Sequence, residues 1–272
     1  MSAPSRRRLR ASAAHLQQPS AAATDELTPE ELAAWRRDGC LIVRQLFTGA
    51  PLERLQEAFA AQQAETRAEW AARMEDSWHA EGYFDLYRPL ERDPSYCELL
   101  ATPKLASLLK AAVGDDCQVV CFQARTVPAR KDMPTYAGWH TDGHELPVHP
   151  TLCASAKLFV QVFDHTAETG CTAVVPQSRD RSALLPSDVQ TPDADPADMP
   201  GHVQFTGKAG DALLMDLSTW HAAIPSTLVN PPETVSRAGL IIQAAPSKDK
   251  QEGFLTRSAV RNKNAFFRAN LY

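Results

Sequence analysis

The chain has 272 residues with 44 % apolar content, enough for one large or two modest domains with a sizeable core. A net charge of −5 gives no general attraction to nucleic acid or anionic lipid, so neither is expected as a partner. No apolar run reaches the length of a membrane span, and a soluble protein without a membrane partner is expected.

Residues 1–24 differ from the rest of the chain. Arg6, Arg7, Arg8 and Arg10 sit among Ser and Ala with no acidic residue before Asp25. This composition builds no core and predicts a disordered tail or targeting segment. Within it, Arg8-Leu9 and His15-Leu16 are seven residues apart and would share one face of a helix. The pattern resembles the N-terminal peroxisomal address Arg-Leu-x5-His-Leu, and implies a peroxisomal-type location reached through a soluble import receptor. A transit peptide and a plain tail are the alternatives.

The first element expected is a helix. Thr28 is a good N-cap, Pro29 suits the first turn, Glu31 completes a capping box, and Gly39 stops the run. Cys40–Phe47 reads as a strand. Leu52, Leu55, Phe59, Trp70 and Met74 recur at helical intervals and predict a long surface helix from Pro51 to about Ala80, near whose end His79 falls. A shorter helix is expected over Lys104–Val113, ending at Gly114. From there the pattern changes to short β-rich runs: Cys117–Val127, Lys157–Phe163, Gly170–Val175, His202–Phe205, Ala212–Leu217 and Ala238–Ala244. Many short strands in series predict a sandwich or barrel. The Pro- and Asp-rich stretch 186–201 reads as a long polar loop, a lid or a solvated insertion. One domain is expected over 25–272: helical at 25–115, a β core at 116–245 and a basic extension at 246–272. The basic run of that extension reads as a solvated face or as a contact for the phosphates of a CoA ester. The six cysteines (Cys40, Cys97, Cys117, Cys121, Cys153, Cys171) form no C-x-x-C pair, and are expected to be reduced, mostly buried thiols of an intracellular protein.

Chemistry concentrates around Tyr136–His144. His140 and Asp142 are one residue apart, so in an extended segment they project to the same side. With one further imidazole they would form the two-His-one-carboxylate set of non-haem Fe(II) oxygenases. His221, at the end of the apolar run Ala212–Leu217, is the candidate, since a jelly roll brings distant strands together. Arg237 opens the last strand beside Ser236. An arginine entering an apolar strand is costly unless it meets an anion, and its guanidinium can clamp a carboxylate such as that of 2-oxoglutarate. His144 is in register with His140 and Asp142 and would line the pocket, or join a zinc site with Glu145 as the base. Trp139 and Trp220 either wall the pocket or pack the barrel. Lys157 reads as exposed, and His149, His165 and His202 as surface or loop residues.

Taken in order, these parts resemble the phytanoyl-CoA dioxygenase family of Fe(II)/2-oxoglutarate oxygenases. The resemblance runs from Leu27 to about Gln243. It is carried by Leu27-Thr-Pro-Glu-Glu31 with Asp38-Gly39, by Trp139-His140-Thr141-Asp142, and by Glu168-Thr-Gly-Cys-Thr-Ala-Val-Val-Pro176. Gly210-Asp211, Trp220-His221 and Arg237 complete it. The resemblance implies an α+β protein whose core is a double-stranded β-helix (a cupin-like jelly roll) with flanking N-terminal helices. It implies His140, Asp142 and His221 as Fe(II) ligands and Arg237 as the anchor for 2-oxoglutarate, with Gln123 and Ser236 as further co-substrate contacts. O2 would be the second co-substrate, with succinate and CO2 released. Related halogenases have a small residue where Asp142 stands, so hydroxylation is implied, with a branched fatty acyl-CoA as a candidate substrate. Three positions depart from the family pattern: Gln177-Ser178-Arg179 replaces Gly-Ser-His, Ala223 replaces a hydroxyl residue that Ser226 or Ser236 would have to supply, and the interval from His221 to Arg237 is long. A non-catalytic metal-binding or regulatory protein of the same fold, and a zinc hydrolase, are the alternatives.

Overall fold

The computed structural model describes residues 26–73, 84–86, 89–129, 138–142, 155–179, 196–231, 236–246 and 269–270. The tail 1–24, Met74, His79, His144, Glu145, His149, Cys153, the loop 186–195 and most of the basic extension lie outside these residues, as does the side chain of Trp70.

Helix α1 spans Pro29–Asp38. Thr28 caps it by accepting from the Glu31 N–H, while the Glu31 carboxylate accepts from the Thr28 N–H at 2.8 Å. Gly39 ends the helix at φ 70°, a left-handed conformation that disfavours a side chain. Strand β1 (Cys40–Val43) comes next but is shorter than expected, because Gln45 turns the chain at φ 52°. Helix α2 runs Ala50–Arg73. Two short helices that the sequence pattern does not predict, α3 (Pro89–Arg92) and α4 (Pro94–Leu100), precede α5 (Pro103–Val113).

The β elements are β2 (Phe84–Asp85), β3 (Cys117–Pro128), β4 (Ala156–Gln161), β5 (Cys171–Val174), β6 (Val203–Phe205), β7 (Ala212–Asp216), β8 (His221–Ile224), β9 (Ser236–Pro246) and β10 (Ala269–Asn270). They form two facing sheets. The larger has the order β1-β7-β4-β9-β3-β10, with β2 also on β3, and the smaller has the order β6-β5-β8. All the pairings are antiparallel. This is the jelly-roll core with flanking helices that the sequence predicts.

Alternation along the large sheet divides its two faces. Leu158, Val160, Leu214, Leu240 and Ile242 are almost fully buried and form one cluster with Leu55 and Phe59 of α2 and residues of α4 and α5. Each such side chain contributes ~1.5–3 kcal/mol of burial, so the helices hold the sheet from outside. The opposite face looks toward the small sheet. There Leu213 and Met215 pack with Val174, Val203 and Phe205 at one end, and a cavity opens at the other. Gly239 lies on that cavity. A Cβ there would meet the Val160 carbonyl oxygen at 2.9 Å, so only glycine allows β4 and β9 to approach this closely. The described cysteines are all free and, apart from exposed Cys97, buried or half-buried.

Candidate metal centre and co-substrate cavity

The loop between β7 and β8 places the distal histidine. The Asp216 carboxylate accepts from the Ser218 N–H at 2.8 Å, and the Thr219 hydroxyl donates to the Gly39 carbonyl at 2.9 Å. This Asx-type turn carries the chain from the large sheet into the small one, so His221 begins β8 at the cavity. Residues 138–142 are laid against it by backbone bonds. His140 and His221 exchange N–H···O bonds of 3.0 and 2.9 Å, and the Asp142 N–H donates to the Leu217 carbonyl at 3.0 Å. The separation of 81 positions between the two histidines in sequence is thus closed by a two-residue bridge.

The side chains then converge. The imidazole Nε2 of His140 is 3.7 Å from Asp142 Oδ1, and that of His221 is 3.4 Å from Asp142 Oδ2. Each Nδ1 instead faces a carbonyl, Gly138 at 2.9 Å and Thr219 at 3.1 Å. A carbonyl only accepts, so Nδ1 carries the proton and the Nε2 lone pairs are left for a cation. One donor atom from each of His140, Asp142 and His221 lies within 4.8 Å of the others, a set of three that leaves part of a metal's coordination open. Burial, then His221, pushes the His140 imidazole down to about 4, so it is neutral and ready to ligate. Burial alone would raise the Asp142 carboxyl, but Lys157 and His221 outweigh it and hold it well below the usual carboxylate range. The donor set fits Fe(II). Glu145, the base that a zinc hydrolase would need, lies outside the described residues.

The triad faces a cavity of about 200 Å³ between the sheets, also lined by Gln123, Arg125, Lys157, His165, Thr172 and Arg237 together with apolar strand residues. Arg237 stands in this lining. Its guanidinium reaches the Ile224 carbonyl at 3.5 Å and, among the described residues, pairs with no carboxylate. Burial lowers its pKa, partly offset by Cys171, with Arg125 lowering it further. A half-buried arginine without a counter-ion gains from a ligand that supplies one. A dicarboxylate co-substrate is such a ligand. Arg125 is already engaged, donating to Asp85 through two bonds of 2.6 and 2.9 Å, and the Gln123 amide donates to the same carboxylate at 3.3 Å.

Several expectations are corrected. Ser236 does not line the cavity: it is one residue from Arg237 on the other face of β9, and its Oγ accepts from Thr126 at 3.2 Å. Ser226 is also elsewhere, donating to the Glu168 carbonyl at 2.7 Å. The hydroxyl side chain in the lining belongs to Thr172, which the β5–β8 register sets opposite Ala223. Trp139 and Trp220 are not in the described lining either. Trp139 is buried with Cys171, Met199 and Ile224, and donates to the Pro196 carbonyl at 3.0 Å, while Trp220 packs against the same cluster. Lys157 is not exposed but lines the cavity and pairs with Asp142. His165 also faces the cavity, its Nε2 accepting from the Ala238 N–H at 3.0 Å, and the His202 ring lies tilted against Trp139, with centroids 5.9 Å apart. Arg179, in the departing Gln-Ser-Arg segment, lies 3.6 Å from Asp216 and 5.8 Å from the Trp35 ring, serving the fold.

The family model for phytanoyl-CoA dioxygenase matches residues 35–227. Among solved structures, the chain is similar to the non-heme alpha-ketoglutarate-dependent carbocyclase SnoK from nogalamycin biosynthesis, with a TM-score of 0.59 and 19 % identity over 88 % of this chain and 93 % of that one. It is similar to EctD from S. alaskensis with bound Fe, with a TM-score of 0.59 and 19 % identity over 93 % of this chain and 90 % of the other. EctD with 2-oxoglutarate and 5-hydroxyectoine gives a TM-score of 0.56 at 18 % identity, covering 85 % and 79 %. At such identities the likeness shows the fold. No curated protein sequence matches.

Proposed function

The chain belongs to the phytanoyl-CoA dioxygenase family and is an Fe(II)- and 2-oxoglutarate-dependent oxygenase, and from that premise we propose that it hydroxylates a small organic substrate with release of succinate and CO2. The observation that carries this reading is the opening of two distinct sites onto one cavity: the donor set His140, Asp142 and His221, and the half-buried Arg237, which among the described residues pairs with no carboxylate. Bound iron with 2-oxoglutarate and O2 supplies the oxidising power; the protein supplies position and dryness.

Each residue then has a defined task. His140 and His221 hold the metal through Nε2, fixed in that tautomer by the Gly138 and Thr219 carbonyls. Asp142 completes the set, and its carboxylate fills the place that a halide would need, which supports hydroxylation. Arg237 takes the remote carboxylate of 2-oxoglutarate, with Thr172 available as the hydroxyl partner and Gln123 on the opposite strand of the wall. Phe159, Phe205 and Ile241 give the cavity its apolar wall and help to exclude water. The cavity is smaller than the ~300–1,000 Å³ pockets of drug-sized ligands, which supports a compact substrate or a compact reacting end.

The acyl-CoA reading of the substrate rests on the tail pattern Arg8-Leu9-x5-His15-Leu16 and on the basic extension. Delivery to a peroxisomal-type organelle through an import receptor belongs to the same reading, and a reporter carrying residues 1–24 that stays cytosolic would remove it. The direct test of function is aerobic turnover of the Fe(II)-loaded protein with 2-oxoglutarate and a substrate panel that includes acyl-CoAs and small organic acids. Succinate formed in step with a product heavier by one oxygen atom is expected. Tight metal and 2-oxoglutarate binding with no succinate from any substrate would favour a non-catalytic role.

A further inference from the structure

Lys157 is an unusual residue for β4. Its neighbours Ala156 and Leu158 are buried, while its own side chain, only 16 % exposed, turns into the cavity and stands 5.9 Å from the Phe159 ring. Among the described residues its ammonium pairs with one carboxylate, that of Asp142.

Among the described residues, the charges of the loaded cavity leave one positive charge without a counter-ion. Fe(II) and the 2-oxoglutarate dianion cancel each other. Arg125 is neutralised by Asp85. Asp142 then offsets only one of the two remaining cations, Lys157 and Arg237. Burying the surplus charge is costly, and Lys157 also loses part of its hold on Asp142 once that carboxylate ligates a metal. Position separates the two cations. Lys157 is paired in register with Gln243, and Arg237 is six residues further along β9, roughly 20 Å at the rise of an antiparallel strand. Arg237 therefore serves the remote end of the cavity and Lys157 the metal end.

We propose that Lys157 is the anchor for a carboxylate on the prime substrate, which places the natural substrates among small organic acids whose acidic group binds beside the metal centre. This rests on the oxygenase reading above. It predicts that a thioester, which offers no charge at its reacting end, leaves Lys157 without its partner.

The test uses wild type, K157R and K157M loaded anaerobically with Fe(II) and 2-oxoglutarate, whose chelate gives a visible charge-transfer band. Butyrate and butyramide, matched in shape and differing in charge, are then titrated in. Butyrate should perturb the band saturably in wild type and K157R, with affinity at least about tenfold weaker in K157M, equivalent to about 1.4 kcal/mol. Butyramide should have no such effect, and 2-oxoglutarate affinity should stay within about threefold across the three proteins. Equal responses to butyrate and butyramide, or a butyrate response untouched by K157M, would overturn the proposal. A tenfold loss of 2-oxoglutarate affinity in K157M would overturn it by assigning Lys157 to the co-substrate's carboxylate. A change confined to Fe(II) affinity would overturn it by making Lys157 a positioning residue for Asp142. Absence of the band in wild type would instead withdraw the oxygenase reading, and the anchor with it.

Discussion

Lys157 and Leu158 are consecutive residues of β4 and serve opposite purposes. Leu158 is fully buried against the helices, in a face made of aliphatic side chains packed on α2, α4 and α5. Lys157 points the other way, to a face that carries Gln123, Arg125 and Arg237 as well. The same strands thus hold the fold with one face and present charge with the other, because successive strand residues alternate. The stability of the outer face offsets the cost of polar groups buried on the inner one. Substitutions on the two faces should separate cleanly into effects on folding and effects on binding.

The largest effect is expected from Arg237→Ala, which should weaken 2-oxoglutarate binding by about 2–5 kcal/mol, as for truncation of one partner of a buried charged pair. The thermal midpoint of the ligand-free protein should hold or rise, since a half-buried cation that pairs with no described carboxylate is removed. A fall in midpoint with unchanged 2-oxoglutarate affinity would show that Arg237 serves the fold instead. Leu158→Ala should do the reverse. It should cost about 2–5 kcal/mol in denaturant unfolding while leaving the Fe(II) and 2-oxoglutarate dissociation constants of the folded protein unchanged.

A smaller effect concerns His165, on the inner face. Burial, reinforced by Arg237, lowers its pKa from 6.5 to about 4. The unfolded chain therefore binds this proton first as pH falls, so the contribution is full above 6.5 and is lost between 6.5 and about 4. His165→Asn should show a shallower acid loss of thermal midpoint across that window than wild type, and parallel curves would refute the assignment. The smallest effect is at the start of α1, far from the cavity. Thr28→Ala should cost about 1 kcal/mol through the lost capping box, with no change in ligand binding.

How much of the molecule is legible in the sequence depends on the range of the interactions. The α1 caps are local: Thr28, Glu31 and Gly39 announce the helix by themselves. The donor set is legible because His140 and Asp142 are close in sequence and the family pattern supplies His221. Strand β8 is not, since four residues beginning at a histidine carry no period, and its start depends on the Asp216 turn and the bond from Thr219 to Gly39. Ser236 and Lys157 are misplaced by sequence for one reason. Which residues of a strand face inward depends on register with distant partners, here Pro128 for Ser236 and Gln243 for Lys157. Thr172 escapes notice because its place opposite Ala223 exists only once β5 and β8 pair. Helices α3 and α4 carry their prolines in the first turn, a start signal that the short apolar pattern after it is too brief to confirm.

The central claim is that His140, Asp142 and His221 hold iron in a cavity where 2-oxoglutarate completes the site. Anaerobic addition of Fe(II) and then 2-oxoglutarate to the metal-free protein tests it most directly. The account predicts one equivalent of Fe(II) and a weak visible charge-transfer band that appears only after 2-oxoglutarate, absent in His221→Ala and requiring higher 2-oxoglutarate in Arg237→Ala. Tight zinc binding with no band after Fe(II) and 2-oxoglutarate, or a band undiminished in His221→Ala, would contradict it.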